Sequence, residues 1–130
     1  MGQTVMTKSE GMVILVLPFP PSMNTYWRNL NGRTLLSAKG RRYKSEVIAA
    51  VYEQLKKKPK PITDNVAVKV EFYPPNNIRR DMDNYFKALF DSLTTAGVWV
   101  DDSQIKRIES DWHDPIKNGK LLINIKLIER

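Results

Sequence analysis

The chain has 130 residues, a formal net charge of +7, a single histidine (His113) and no cysteine. That length suits one domain with a real core, and the composition excludes disulfides, thiolate zinc sites and His-rich metal cages. The longest apolar run, Met12 to Leu17, is strand-sized, and the polar start from Met1 to Glu10 does not read as a secretory leader, so a cytoplasmic protein without a membrane partner is expected.

In chain order, Met12 to Leu17 reads as a strand, and Pro18-Phe19-Pro20-Pro21-Ser22 imposes an extended or turning connection. Gly32 marks a turn and Thr34-Leu35-Leu36 a short apolar strand. Ser37 is placed to cap a helix running to about Lys57, with Val47, Ile48, Val51 and Leu55 as its buried stripe and Pro59 and Pro61 beyond its end. Val66, Val68, Val70 and Phe72 alternate within 65–73, the pattern of a half-buried strand. Pro74-Pro75-Asn76-Asn77 breaks that strand and opens a loop. A second helix, from about Asn84 to Ala96, would bury Phe86, Leu89, Phe90 and Leu93, with Gly97 placed to stop it.

Residues 105–112 and 121–128 read as two more strands, and Asn118-Gly119 between them predicts a hairpin. Leu122 and Ile128 fall on the second face of the last strand, which points to cover on both sides or to a partner. Val98-Trp99-Val100 is a candidate interface, with Trp99 equally suited to the core. The expected fold is α+β, a small mixed sheet of about four strands with two main helices, over residues 11–130, preceded by a flexible arm at 1–10.

Charge is unevenly spread. Residues 1–60 carry 11 Lys/Arg against 3 Asp/Glu, whereas residues 61–130 carry 10 against 11. The first half is an electrostatic footprint for a polyanion, and its cations are interleaved with Asn24, Tyr26, Trp27, Asn29 and Tyr43, which suit sugar-phosphate contacts and base stacking. Arg28, Arg33, Lys39, Arg41 and Arg42 flank the Pro-Pro-Ser-Met-Asn stretch and the start of the first long helix. They are the expected grip on nucleic acid, with Asn24, Arg79 and Arg80 beside them.

The acids gather in Arg79-Arg80-Asp81-Met82-Asp83-Asn84, followed by Lys87 and, after an apolar helical stretch, Asp101-Asp102. In an extended segment residues i and i+2 point the same way, so Asp81 and Asp83 can share a metal. Lys87 lies four residues after Asp83, on the same face of the helix that Asp83 would begin. Each piece has a plainer use. Asp83 suits an N-cap, and Asp101-Asp102 a polar turn. A lysine on the helix face and a third carboxylate from beyond the helix favour a divalent metal beside a phosphodiester.

Pro20-Pro21-Ser22-Met23-Asn24 with Tyr26 and Arg28, then Gly32-Arg33-Thr34 and Ser37-Ala38, resembles the start of RusA-type Holliday-junction resolvases. The second block resembles them in order and spacing: Arg79-Arg80-Asp81-Met82-Asp83-Asn84, Lys87-Ala88, Phe90-Asp91-Ser92-Leu93-Thr94, Ala96-Gly97 and Trp99-Val100-Asp101-Asp102-Ser103-Gln104. The resemblance implies a homodimeric, magnesium-dependent endonuclease that nicks four-way DNA junctions symmetrically, with Mn²⁺ as a substitute ion and no organic cofactor. By matching position it makes Asp81, Asp83 and Asp102 the catalytic and metal-binding acids and Lys87 the essential lysine. Asn77 and Ile78 stand where the family often has more arginine.

The chemistry agrees. Mg²⁺ takes oxygen ligands and keeps waters, and three carboxylates at one point stay ionised only beside such a cation. A bound metal generates hydroxide from water and screens charge developing on phosphorus. Lys87 would add electrostatic support and Asp91, one turn on, would position it. Two nicks related by a twofold axis suit a C2 dimer. A metal nuclease for forks or flaps, and a junction-binding protein without cleavage, are the alternatives.

Overall fold

A computed structural model describes residues 12–128; the expected arm at 1–10 lies outside them. β1 (Met12–Leu17) leads through the prolines to one helical turn, α1 (Met23–Tyr26), where the Ser22 carbonyl accepts the amides of Thr25 and Tyr26 at 3.0 and 2.9 Å. β2 (Trp27–Leu30) and β3 (Arg33–Leu36) then pair antiparallel. Asn31 and Gly32 between them have φ of 52° and 74°, the double positive φ that matches the twist of a two-residue hairpin. Trp27-Arg28-Asn29-Leu30 has no apolar alternation to announce β2.

α2 (Ala38–Leu55) starts where expected, with the Ser37 hydroxyl accepting the Gly40 amide at 3.0 Å and donating to the Thr25 carbonyl at 2.6 Å. It buries Tyr43, Val47, Val51 and Leu55. Gly40 is needed for closeness rather than for flexibility, because a Cβ there would stand 2.6 Å from the Tyr26 carbonyl oxygen. The helix stops at Lys56, whose φ of 65° is left-handed, before the prolines are reached.

β4 (Val66–Tyr73), β5 (Ile105–Trp112) and β6 (Lys120–Leu127) complete a sheet of order β1-β6-β4-β5, in which only β4 and β5 run parallel. Their crossover holds a 3-10 turn (Met82–Tyr85), α3 (Phe86–Ala96) and a second 3-10 turn (Asp102–Gln104). α2 and α3 pack together, and their apolar faces join one core with Val13, Leu15 and Leu17 of β1, the alternating valines and Phe72 of β4, and Leu121, Ile123 and Ile125 of β6. Each such side chain, fully buried, contributes about 1.5–3 kcal/mol relative to exposure. Gln54 of α2 bonds both the amide and the carbonyl of Val16, at 2.8 and 2.6 Å, which blunts the open edge at β1.

Three expectations are corrected. Asn118-Gly119 makes a turn with both φ positive, but it does not join a hairpin: β4 lies between β5 and β6, and the connection crosses its end, with His113 and Ile116 donating to the carbonyls of Phe72 and Pro74. Turn chemistry fixes the local reversal, while β4 wins both neighbours through its unbroken apolar alternation. Asp83 is not the N-cap of α3 and does not lie in extended chain; it sits inside the preceding 3-10 turn, which Asp81 begins. Trp99 is core, 1% exposed, with its indole N–H donating to Thr94 Oγ1 at 2.7 Å.

Candidate metal and DNA site

Asp81 stands in extended backbone at the start of the 3-10 turn, and its carbonyl accepts the Asn84 amide at 3.1 Å. Its carboxylate makes no capping bond. Asp81, Asp83 and Lys87 are exposed, and Asp102 is half-buried at the start of the second 3-10 turn. None of these three acids has a side-chain hydrogen bond or ion pair among the described residues.

Their neighbours in the same motif are engaged. Asp91, on α3, accepts the Tyr26 hydroxyl at 2.5 Å and pairs with Lys44 Nζ at 3.2 Å, tying α1 and α2 to α3. Burial pulls its pKa upward, but the Tyr26 bond, the Lys44 bond and charge, and the charge of Lys87 outweigh burial and hold it below the ordinary carboxylate value. Burial, then the Asp91 bond and charge, raise Tyr26 and keep it a donor. Asp101 caps the second 3-10 turn, accepting the Ser103 amide at 2.9 Å. That bond, helped by Lys87, lowers its pKa. Gln104 returns the cap by accepting the amides of Val100 and Asp101, each at 2.9 Å, and donates to the carbonyls of Ile62 and Asp64.

Lys87 is thus the charge shared by Asp91 and Asp101, and α3 packs against the turn that carries Asp102. The fold brings the lysine to the Asp101-Asp102 corner. It does not close a cage: among the described residues no three acidic or imidazole side chains are gathered tightly enough to hold an ion. The donors themselves fit magnesium, being hard carboxylate oxygens without internal partners.

The basic residues divide in the same way. Arg28 and Arg33 lie on the β2–β3 hairpin and Lys39, Arg41 and Arg42 on the first turns of α2, all exposed, as are Asn24 and Arg79. Arg41 uses one N–H on the Leu36 carbonyl at 2.8 Å. Arg80 is a staple: its guanidinium bonds the carbonyls of Asn76 and Ile78 and the Asn76 side chain at 3.0, 3.1 and 2.7 Å, and lies 5.5 Å from the centre of the Phe19 ring. Sequence reasoning missed the roles of Tyr26 and Lys44 at Asp91, since nothing local links residues 26, 44 and 91.

The family model for endodeoxyribonuclease RusA matches residues 18–126. The chain belongs to the RusA family. Crossover junction endodeoxyribonucleases RusA of Shigella sonnei (strain Ss046), of Escherichia coli (strain K12) and of Enterobacteria phage 82 are each 36% identical over 111 residues, 85% of this chain and 91% of theirs. The match spans the Pro-Pro-Ser-Met-Asn stretch, the whole β4–β5 crossover and most of β6, so the acids, Lys87 and the basic hairpin all fall inside the RusA region. No helix among the described residues is long and apolar enough to cross a membrane.

Proposed function

We propose that this RusA-family chain is a magnesium-dependent endonuclease that resolves four-way DNA junctions by paired nicks on strands of like polarity. The observation that carries the reading is a division among the motif's acids. Asp91 and Asp101 are engaged in bonds that build the corner, while Asp81, Asp83 and Asp102 keep their oxygens for a ligand. Those three would hold Mg²⁺, which supplies an activated water and positive charge at phosphorus when bound. Ionised carboxylates at close range repel, and a dication offsets that repulsion.

The chain's own residues do the remaining work. Lys87 places positive charge next to the Asp101-Asp102 corner, where a phosphate oxygen gains charge during hydrolysis. Asp91 holds that lysine from the turn beyond, braced by Tyr26 and Lys44. Arg79 and the cations of the hairpin and α2 bind the junction backbone, which fixes position rather than sequence. A homodimer with twofold symmetry supplies the second nick. Its support is the outer sheet face, where Ile14 and Val16 of β1 are 51% and 45% exposed and Val16 stands opposite Leu122 of β6.

The test is cleavage of a synthetic four-way junction, a fork and a plain duplex at one salt concentration, with and without Mg²⁺. Metal-dependent nicks at symmetric positions in the junction are expected, with weak cutting of the others. Binding without cutting at any metal concentration would leave a junction-binding protein. Preferential cutting of the fork would move the substrate to other branched DNA.

A further inference from the structure

A cleft of about 400 Å³ opens between the proline-rich connection after β1, the outer face of α2 and the loop that ends at Arg80. That volume lies within the range of ligand sites, about 300–1,000 Å³. Its lining has three chemistries. Phe19 and Tyr43 give it aromatic surface, and the Tyr43 hydroxyl is already donated to the Pro18 carbonyl at 2.9 Å, so that ring presents carbon to the cleft. Lys39 and Arg42 bring positive charge and have no partner among the described residues. Glu46, one helical turn after Arg42, is the sole acid of the lining; it too is exposed and makes no ion pair there.

Aromatic walls with cations at the rim match a base and its phosphate better than they match a phosphate alone. The position argues for DNA rather than for a free nucleotide. Arg80, stapled over Phe19, is part of the lining and is bonded directly to Asp81, and Tyr85 closes the 3-10 turn that holds Asp83. A strand whose phosphate lies at these acids therefore has a neighbouring nucleotide at the mouth of the cleft. Base pairs at a junction's crossover are the least constrained by stacking, so turning one nucleotide out costs least there.

We propose that this cleft receives a nucleotide adjoining the scissile phosphate, turned out of its stack, and that Glu46 selects bases carrying an exocyclic amino group. The base lies against Phe19 and Tyr43, with its phosphates on Lys39 and Arg42. An ionised carboxylate only accepts hydrogen bonds, so it takes one from the amino group of cytosine or adenine and meets only carbonyl oxygens on the pairing edge of thymine beside the ring N–H. The proposal deepens the nuclease reading and rests on it. It assigns Glu46 to specificity, not to the chemical step.

Two measurements test it separately from that reading. Junctions of fixed crossover are varied one base at a time on either side of the cut, and single-turnover cleavage is measured for the wild type and for Glu46→Ala. The wild type should cut the best base about tenfold or more faster than thymine at one position, and the variant should narrow that spread to within about threefold. An unchanged spread in Glu46→Ala overturns the proposal. In the second, 5-iododeoxycytidine placed beside the cut is photo-cross-linked to wild-type protein without divalent metal, and the attachment is mapped by mass spectrometry. Attachment at Phe19 or Tyr43 supports the cleft even if no junction is ever cut, and attachment only elsewhere overturns it.

Discussion

Two stretches of the same crossover treat their acids differently. At the end of α3 and the turn after it, every polar group is tied: Asp91 to Tyr26 and Lys44, Asp101 to the Ser103 amide, Gln104 to four backbone groups. At the start of the crossover the loop is held by Arg80 alone, and Asp81 and Asp83 reach no donor among the described residues. Buried or cornered polar groups must be satisfied for the fold to stand. Acids with no such role, placed beside a lysine and two arginines, are there for a ligand. The two stretches therefore separate acids that build the site from acids that use it.

The largest effects should fall on the unpartnered acids. Asp81→Asn, Asp83→Asn and Asp102→Asn each should lower junction cleavage by on the order of 10³ or more, beyond the 10²–10³ of one lost electrostatic donor. Binding should hold or tighten, because repulsion of phosphate is removed, and the urea midpoint should not fall. Robust cutting by any one variant would take that residue out of the site, and a large loss of stability would place it with the building acids instead.

Lys87 sits on the boundary of the two stretches, so its variant sharpens the division. Lys87→Ala should slow cleavage by on the order of 10²–10³ with little change in junction affinity. It should also raise the pKa of Asp91 and of Asp101 together, read by carboxyl NMR titration, because both are lowered by the same charge. Equal losses in binding and cleavage would make it a plain phosphate anchor.

Much of this division was legible from residue order, and its failures are instructive. The Asp-x-Asp-Asn-x-x-Lys and Asp-Asp-x-Gln spacing located the right segments, since family chemistry is written in consecutive residues. The local geometry was misread at Asp83, where an aspartate before an apolar helix suggests a cap and a 3-10 turn intervenes. Helices and strands with a strong apolar period, such as α2, β1 and β4, appeared within a residue or two of their places. β2 did not, because a short exposed strand has no period and its Asn31-Gly32 turn was the only signal. The same dipeptide at 118–119 suggested a hairpin that β4 prevents by taking both partners. Turn residues report a reversal of the chain; they do not report which strand lies alongside.

Asp91 tests the structural half of the comparison through pH. Its folded-state pKa is lowered, so its contribution is fully present above the ordinary carboxylate value and fades as pH falls through the lower folded value. Asp91→Asn keeps an acceptor for Tyr26 but loses the charge facing Lys44 and Lys87, and should cost about 1–2 kcal/mol at neutral pH. Urea midpoints measured at several pH values should show the gap between wild type and variant closing on the acid side. A gap that persists unchanged into acid would show that the charge of Asp91 is not what ties the helices.

The smallest effect belongs to Asp101, beside one of the residues with the largest. Its carboxylate caps a turn, and asparagine caps about as well as aspartate because its carbonyl oxygen can accept the same Ser103 amide. Asp101→Asn should therefore leave cleavage within a few-fold of wild type and the urea midpoint unmoved, whereas Asp101→Ala, which removes the acceptor, should lower the midpoint and loosen the placement of Asp102. The adjacent pair makes the outcome decisive, because the two side chains differ by one position along the chain and by everything in their bonding. If Asp101→Asn is inactive while Asp102→Asn still cuts, the cap and the ligand have been assigned to the wrong members of the pair, and Asp101 must exchange its bond to Ser103 for one to the metal when DNA binds.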